Sequence, residues 1–391
     1  MVGMAGEATA TVGAPELLEV RDAHRLPALI AARASALAGC PVAVYVVDID
    51  GSYLLHLAGE TLKLPGRFSA PLAVGTELPV DAITAVGELV ARAAPEMVVV
   101  PLVVRDRAVG VLIAAEAPHG PLQAFASEAA LALEMACGYT DVVHAARRRR
   151  SVDPAAEIQQ NLLPPRIATV SGYRVAGGVL PGYEIGGDFF DYADNPEGLW
   201  LAVGDAVGKG NRAAALSSLA LGALRTARRG GATLPEAAEL IHDTICGYDH
   251  PQYLTAVVAI CHPDGTFRWI SAGHPYPLHI TQDGAARELT DGHTHPLGLY
   301  AFDRDLSVGH ARLAAGEQVV LYSDGVTDRK LAAGGRLGPN AITELLRDDR
   351  PPTPSATVRA LHSLVIDAST EPLHDDATVL ATARLPLTPA A

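Results

Sequence analysis

A buried strand that runs into a glycine-rich turn is the feature that most constrains the fold of this 391-residue chain. Five apolar residues at 199–203 predict the strand, three glycines within 204–210 predict a turn, and an alanine- and leucine-rich helix is expected at 212–228. Asp205 therefore stands where the strand ends. A carboxylate there, beside glycines that let the backbone come close, suits a phosphate site or a metal site.

The same order of strand, glycine-rich loop, lysine and helix is found in nucleotide-binding P-loops, G-x-x-x-x-G-K-[ST]. This chain has Gly204-x-x-x-Gly208-Lys209-Gly210, which is one residue short and has glycine where the Mg²⁺-binding hydroxyl belongs. Asp205 would also place a negative charge inside a loop that has to bind phosphates. The carboxylate is better explained as an oxygen ligand of a hard cation.

Composition excludes several classes of protein. The formal net charge of −14 argues against a general nucleic-acid binder, because no basic surplus exists to neutralise phosphates. Four widely separated cysteines without a C-x-x-C pair argue against a disulfide framework or a zinc site. The N-terminus lacks the pattern of a signal peptide, and the most apolar segment, 97–117, is interrupted by Arg105-Asp106-Arg107. We therefore expect a soluble, cytoplasmic protein that binds neither membrane nor nucleic acid.

The first part of the chain alternates predicted helices and hairpins. Residues 1–20 are small and predict a flexible tail. The elements expected after it are a helix at 23–38, a hairpin at 41–58, a helix at 82–93, a hairpin at 97–115 and a helix at 122–146. This order, with a central hairpin at 101–113, resembles a GAF domain and implies a sensor domain at 21–146. No cofactor-specific residue stands out, so a dimerising or regulatory module is preferred over a ligand-binding one.

A helical linker is predicted at 147–165. It opens with four arginines at 147–150, which in an acidic protein favour a solvated face over a contact with membrane or nucleic acid. Asp153-Pro154 is typical of a helix start, with proline at the first helical position. Pro164-Pro165 ends the predicted helix.

Carboxylates recur at predicted strand ends in the remainder of the chain. They are Asp188 in E-I-G-G-D-F-F-D, Asp205, Asp324 in L-Y-S-D-G-V-T-D, and the pair Asp375-Asp376 in D-D-A-T-V. Any one of them alone is typical of a turn. If neighbouring or facing strands bring them into one cleft, their like charges would raise each other's pKa, and divalent cations would neutralise them. Oxygen ligands without histidine or cysteine favour Mg²⁺ or Mn²⁺, and a pair of such ions is suited to phosphoryl hydrolysis.

These motifs, together with S-A-G-H-P-Y-P-L, resemble in order and spacing the PPM (PP2C-type) serine/threonine phosphatases, and most closely their bacterial SpoIIE and RsbU-like branch. The resemblance covers about residues 155–385 and includes the entry helix I-Q-Q-N-L-L-P-P. It implies an α+β fold at 166–387, an αββα sandwich of two central antiparallel sheets flanked by helices. It also implies two Mn²⁺ or Mg²⁺ ions. The implied ligands are Asp188, Asp205, the Ala206 carbonyl, Asp324 and Asp375, with Asp376 as the alternative to its neighbour.

The resemblance further implies direct attack of metal-bound hydroxide on phosphoserine or phosphothreonine, without a phospho-enzyme. The implied substrate is a phosphorylated anti-sigma-factor antagonist. The N-terminal sensor domain is expected to regulate the enzyme through a homodimer paired along its linker helices. His274 is expected to shape its loop, with general acid as the alternative.

Two other functions are weighed against the phosphatase. Gly186-Gly-Asp-Phe-Phe190 is close to the G-G-D-E-F turn of diguanylate cyclases, but Phe189 replaces the acidic residue needed there. The cyclase would also leave Asp324 and Asp375 unexplained. The other alternative is a non-catalytic regulatory domain that only binds a partner.

Overall fold

The computed structural model describes residues 17–118, 121–184, 186–248 and 252–386. Residues 1–16 of the expected tail lie outside this part of the chain. Leu17–Glu19 form a short 3₁₀ helix, and Leu17 is buried among the apolar residues of the first core. The end of the expected tail is therefore part of the folded N-terminal unit, which corrects the boundary at residue 20.

The N-terminal unit is an antiparallel sheet with helices on both faces. Its strands are β1 (Val42–Val47), β2 (Tyr53–Gly59), β3 (Arg67–Ser69), β4 (Leu78–Pro79), β5 (Val98–Val104) and β6 (Arg107–Ala114). Its helices are α1 (Leu26–Ala38), α2 (Ile83–Ala93), α3 (Leu122–Ala136) and α4 (Val142–Ala146), and 3₁₀ turns occupy Ala23–Arg25 and Val80–Ala82. The path of hydrogen-bonded strands is β3-β2-β1-β6-β4, and β5 pairs with β6.

Both faces of this sheet are covered, as the unbroken apolar runs of β1 and β6 require. Residues of α1 and α3 pack on one face, and residues of α2 pack on the other. The two predicted hairpins are present, as β1–β2 and β5–β6. The single helix expected at 122–146 is interrupted: α3 ends at Ala136, a turn follows, and α4 begins at Val142. The likeness of this unit to a GAF domain stays a prediction.

The remaining strands form two further sheets. The intervening linker helix is α5 (Pro154–Leu162), with Asp153 as its N-cap. The strands are β7 (Ile167–Val170), β8 (Tyr173–Leu180), β9 (Asp188–Asn195), β10 (Gly198–Ala206), β11 (Leu254–Cys261), β12 (Thr266–Ala272), β13 (Leu278–Ile280), β14 (Ala286–Glu288), β15 (His293–Thr294), β16 (Gly309–Arg312), β17 (Gln318–Tyr322) and β18 (Ala377–Arg384). The helices are α6 (Asn211–Arg229), α7 (Leu234–Cys246), α8 (Asp324–Thr327), α9 (Gly338–Asp349) and α10 (Pro354–Asp367).

These two sheets pack face to face between two layers of helices. One has the order β15-β12-β11-β10-β9, with β16 on β12, and the other has the order β14-β13-β17-β18-β8-β7. Their inner faces share a core that includes Phe190, Trp269 and Leu321. The outer face of the first sheet is covered by α6 and α7, and that of the second by α9 and α10. The predicted α+β sandwich of two antiparallel sheets between helices is confirmed.

The arginine run is only partly the solvated face that its composition predicts, because Arg148, Arg149 and Arg150 are exposed whereas Arg147 is half-buried. Arg149 donates to Asp48 (2.5 Å) and Asp50 (3.0 Å) in the turn between β1 and β2, and its side chain is 25% exposed. The Nε atom of Arg147 is buried. Only Arg148 and Arg150 form the exposed ion pairs that the charge pattern suggests. The run therefore joins the N-terminal unit to the linker.

No helix among the described residues has the length and apolar character that crossing a bilayer requires.

Candidate active site

The first sheet places two of the predicted carboxylates opposite each other. Asp188 begins β9 and Asp205 lies near the end of β10, and these two residues are paired in the antiparallel register. A Cβ atom on Gly204 would lie 2.6 Å from the Phe189 ring, so glycine is needed before Asp205 for the strands to pack. Ala206 ends β10, and a Cβ atom on Gly187 would lie 3.3 Å from its carbonyl oxygen. The predicted carbonyl ligand thus lies beside the start of β9.

The second sheet supplies the other carboxylates where β17 ends and β18 begins. Asp324 is the first residue of α8, separated from the end of β17 by Ser323 alone, and Asp376 directly precedes β18. Gly325 allows these segments to meet, because a Cβ atom there would lie 1.9 Å from the Asp376 carbonyl oxygen. Thr378 of β18 donates its hydroxyl to Asp188 Oδ2 at 2.6 Å, which joins the two sheets at the site.

The adjacent carboxylates Asp375 and Asp376 have different environments. Asp376 is 2% exposed, and its Oδ2 accepts hydrogen bonds from Gln159 Nε2 (2.8 Å), Gly187 N (2.9 Å) and Asp188 N (3.2 Å). The side chain of Asp375 is 52% exposed, and its Oδ2 lies 3.7 Å from Lys209 Nζ. Asp376 therefore holds the start of β9 in place, whereas Asp375 is at the mouth of the cleft.

The electrostatics of the cleft are those of acidic groups that are partly or fully buried close to one another. Burial, together with the nearby charges of Asp205 and Asp376, raises the pKa of Asp188 well above its usual value. Burial and the charge of Asp324 raise the pKa of Asp205 to about 7. Burial raises the pKa of Asp376 to about 6, and burial with the charges of Asp328 and Asp375 raises that of Asp324. A bound divalent cation would reverse all four shifts, because its charge favours the ionised form of a carboxyl group.

The residues present fit a hard divalent cation by their chemistry. Their donors are carboxylate and carbonyl oxygens, which suit Mg²⁺ or Mn²⁺. Asp376 Oδ1 is buried and has no hydrogen-bond partner, so an acceptor is left over for a cation. Within the described ranges, however, no three acidic, histidine or cysteine side chains already form a metal-binding group. The assignment of individual ligands stays a prediction.

His274 follows β12, in an environment that disfavours the charged form of its side chain. It is 4% exposed, and burial lowers the pKa of its imidazole to about 3. Its Nδ1 lies 2.8 Å from the hydroxyl of Thr255, the residue paired with Asp205 in the β10–β11 register. Its carbonyl accepts a hydrogen bond from Ser271. These contacts support the expected role in shaping the loop.

Two residues of the quoted motifs have roles that the sequence did not assign. Gln159 of α5 donates from one amide nitrogen to Asp376 Oδ2 and to the Asp188 carbonyl. Asp191 is buried and forms ion pairs with Arg225 (2.8 Å) and Arg228 (2.9 Å) of α6. Strand periodicity could have separated Asp191 from the cleft, because residues three apart on a strand face opposite sides. No local pattern pointed to Gln159, since its partners are distant in sequence.

The C-terminal part of the chain is similar to known proteins. Residues 195–385 match the profile of the family described as Stage II sporulation protein E (SpoIIE). Over 240 residues the chain is 22% identical to the phosphoserine phosphatase RsbU of Bacillus subtilis (strain 168), a match that covers 59% of this chain and 69% of that protein.

Two solved structures have the same fold. The structure of the RsbU and RsbW domains of Rv1364c from Mycobacterium tuberculosis is 28% identical with a TM-score of 0.50, covering 56% of this chain and 62% of that chain. The SiaA-PP2C domain of Pseudomonas aeruginosa is 22% identical with a TM-score of 0.51, covering 59% of this chain and 94% of that chain. Residues 195–385 of the present chain thus match the SpoIIE family, and the C-terminal part has the fold of a PP2C-type phosphatase domain.

Proposed function

We propose that this chain hydrolyses phosphoserine or phosphothreonine on a partner protein, using two Mn²⁺ or Mg²⁺ ions. The observation that carries the proposal is that Asp188 and Asp205 of one sheet lie near enough to Asp324 and the Asp375-Asp376 pair of the other for their charges to interact. Their raised pKa values indicate a site in need of cations. Cations bound there would lower the pKa of a water and withdraw charge from the phosphate oxygens.

The chain's own residues divide into ligands and supports. Asp205 and Asp324 would hold cations from facing sheets, with the Ala206 carbonyl beside them, and Asp375 would close the site from the mouth. Asp376 and Thr378 orient Asp188 through the contacts described above. Lys209 lies at the mouth, where its ammonium donates to the His374 carbonyl. A positive charge at the entrance favours the approach of a phosphorylated side chain.

The test compares Asp205→Asn and Asp324→Asn with Asp194→Asn, an exposed aspartate on β9. We expect the full chain to hydrolyse an aryl phosphate in the presence of Mn²⁺. Each cleft variant should lose activity by about a hundredfold or more, because it loses an electrostatic contribution to the transition state. The Asp194 variant should retain activity. Near-normal Mn²⁺-dependent turnover in both cleft variants would overturn the site assignment.

The same assay separates the alternative functions. Conversion of GTP to a cyclic dinucleotide would identify a cyclase. If the folded protein shows neither hydrolysis nor GTP conversion, a non-catalytic binding domain is favoured. The proposed partner is a phosphorylated anti-sigma-factor antagonist, by analogy with the RsbU-like branch. Dephosphorylation of such a protein, followed by mass spectrometry, tests the partner separately from the chemistry.

We also propose that the N-terminal unit regulates this activity through the linker, in a homodimer paired along the linker helices. Glu77 before β4 supports the coupling, because its Oε2 accepts a hydrogen bond from the Ile167 amide (3.0 Å) at the start of β7. Deletion of residues 1–145 should change the turnover rate or the Mn²⁺ concentration needed for half-maximal activity. If neither changes in the folded truncated protein, the proposed regulation is wrong.

A further inference from the structure

A small cavity lies where the N-terminal unit meets the linker helix, away from the acidic cleft. Its volume is about 90 Å³, and its lining includes His144, Arg147, Arg148, Glu157 and Arg166. Three arginines and one carboxylate around so small a space give it a positive lining. Pockets for drug-sized ligands measure roughly 300–1,000 Å³, so this one is too small for a nucleotide.

Two of these arginines lack the partners that a buried guanidinium needs. Arg147 makes one long hydrogen bond, from Nη2 to the Val109 carbonyl (3.3 Å), and its buried Nε has no partner. Arg166 is 7% exposed, donates hydrogen bonds to the neutral oxygens of Pro164 and Gln160, and lies over the Phe190 ring, 5.6 Å from its centre. Within the described residues, neither arginine forms an ion pair. Unpaired buried charges are costly, so each calls for an explanation.

The nearby carboxylates are already engaged. Both oxygens of Glu77 are used, one by Arg107 (2.8 Å) and the other by the Ile167 amide. Glu134 also pairs with Arg107 (2.5 Å), and Glu157 pairs with Arg148 (2.6 Å). Burial lowers the pKa of Arg147, and it lowers that of Arg166 to about 10. The charge of Glu77 acts on both arginines but is shared with Arg107, and water in the cavity would add no further negative charge.

We propose that this cavity binds a small tetrahedral oxyanion, of the class of inorganic phosphate, between the N-terminal unit and the linker helix. Guanidinium groups bind such ions through charge-assisted hydrogen bonds, for which Arg147 has unused donors. The lining residues come from α4, the arginine run, α5 and the segment before β7. An anion bound here would join all four segments.

The test is calorimetric titration of the full chain with inorganic phosphate in chloride buffer with a chelator. Without divalent cations, the acidic cleft repels phosphate and does not compete. One phosphate per chain is expected to bind. Arg147→Met should weaken this binding about tenfold or more. The matched control is Arg150→Met, from the same run, whose charge pairs with Glu184 outside the cavity. This control should change the affinity less than about twofold.

Other outcomes decide against the proposal. It is wrong if wild-type protein shows no saturable binding, if Arg147→Met binds normally, or if both variants weaken binding equally. Sulfate should displace phosphate, and displacement by chloride alone at equal concentration would contradict an oxyanion site. If Arg147→Met does not fold, as judged by circular dichroism, Arg148→Met takes its place with the same expected direction, since Arg148 is more exposed.

Discussion

At the scale of single residues, Gln159 connects the linker helix to the candidate site. Its Nε2 is bonded both to Asp376, which precedes β18 of the second sheet, and to the carbonyl of Asp188 in the first. Its Oε1 is buried without a partner, so the side chain is held by its donor group alone. The amide therefore fixes the spacing of the two strand starts on which the site is built.

Gln159→Leu should raise the Mn²⁺ concentration needed for half-maximal activity by about tenfold. The loss of a hydrogen bond to a charged group is worth roughly 1.5–3 kcal/mol, and leucine has a similar size. Asn161→Leu, on an exposed position of the same helix, serves as the control. Metal affinity is also measured by calorimetry, independently of turnover. Equal affinities in the two variants would show that Gln159 does not position the site.

At the scale of secondary-structure elements, the turn between β1 and β2 is bonded to the loop that precedes β9. Asp50 Oδ1 accepts a hydrogen bond from Gly182 N (2.9 Å), and Asp50 Oδ2 pairs with Arg149. The backbone amide of Arg149 donates to the Tyr183 hydroxyl (3.0 Å), and the Asp153 amide donates to the Tyr183 carbonyl. The N-cap of α5 and the approach to Asp188 are thus held by the same group of contacts.

Asp50→Ala removes the acceptor for Gly182 and one partner of Arg149. We expect a several-fold lower Mn²⁺-dependent rate, because Asp188 would be less well positioned. Asp81→Ala is the control. Asp81 also accepts a hydrogen bond from the C-terminal part of the chain, but from Thr353, which is distant in sequence from the loop that precedes β9. Hydrogen exchange should show a faster-exchanging Gly182 amide in the first variant only. Unchanged exchange there would argue against the contact.

Sequence patterns predicted elements better than the contacts between them. The hairpins, the β10 strand with its glycine turn, and the ends of β17 and β18 follow from apolar periodicity and glycine positions, which are local signals. The role of Arg149 does not follow from local signals, because its partners Asp48 and Asp50 lie about a hundred positions earlier in the chain. The separation of Asp375 from Asp376 likewise depends on the backbone amides of β9. The interruption after Ala136 is a short-range effect that helical periodicity alone overlooks.

At the scale of the whole molecule, the acidic cleft links folding stability to pH and to cations. The pKa of Asp205 is raised to about 7 and that of Asp376 to about 6. The folded state therefore binds more protons than the unfolded state between about pH 4 and 7. Protonation of these groups favours folding at low pH, and this contribution is lost as the pH rises through the raised pKa values. A bound cation would replace the lost protons.

Mn²⁺ should therefore raise the melting temperature more at pH 8 than at pH 5, as measured by differential scanning fluorimetry. Without metal, the Asp205→Asn variant should gain stability relative to the wild type as the pH rises from 5 to 8, because it lacks one of the repelling charges. Asp194→Asn again serves as the reference. A Mn²⁺ effect that is independent of pH would contradict the proposed link between the carboxylates and the metal.

Asp191 has a mechanical consequence for this domain. It forms ion pairs with two arginines that are one turn apart on α6, and the pair with Arg228 is buried on both sides, so that breaking it would leave an unpaired buried charge. A translation or rotation of α6 alone would break both ion pairs at once. The helix is therefore coupled to β9, and we expect a displacement of α6 to move the strand that begins at Asp188 as well.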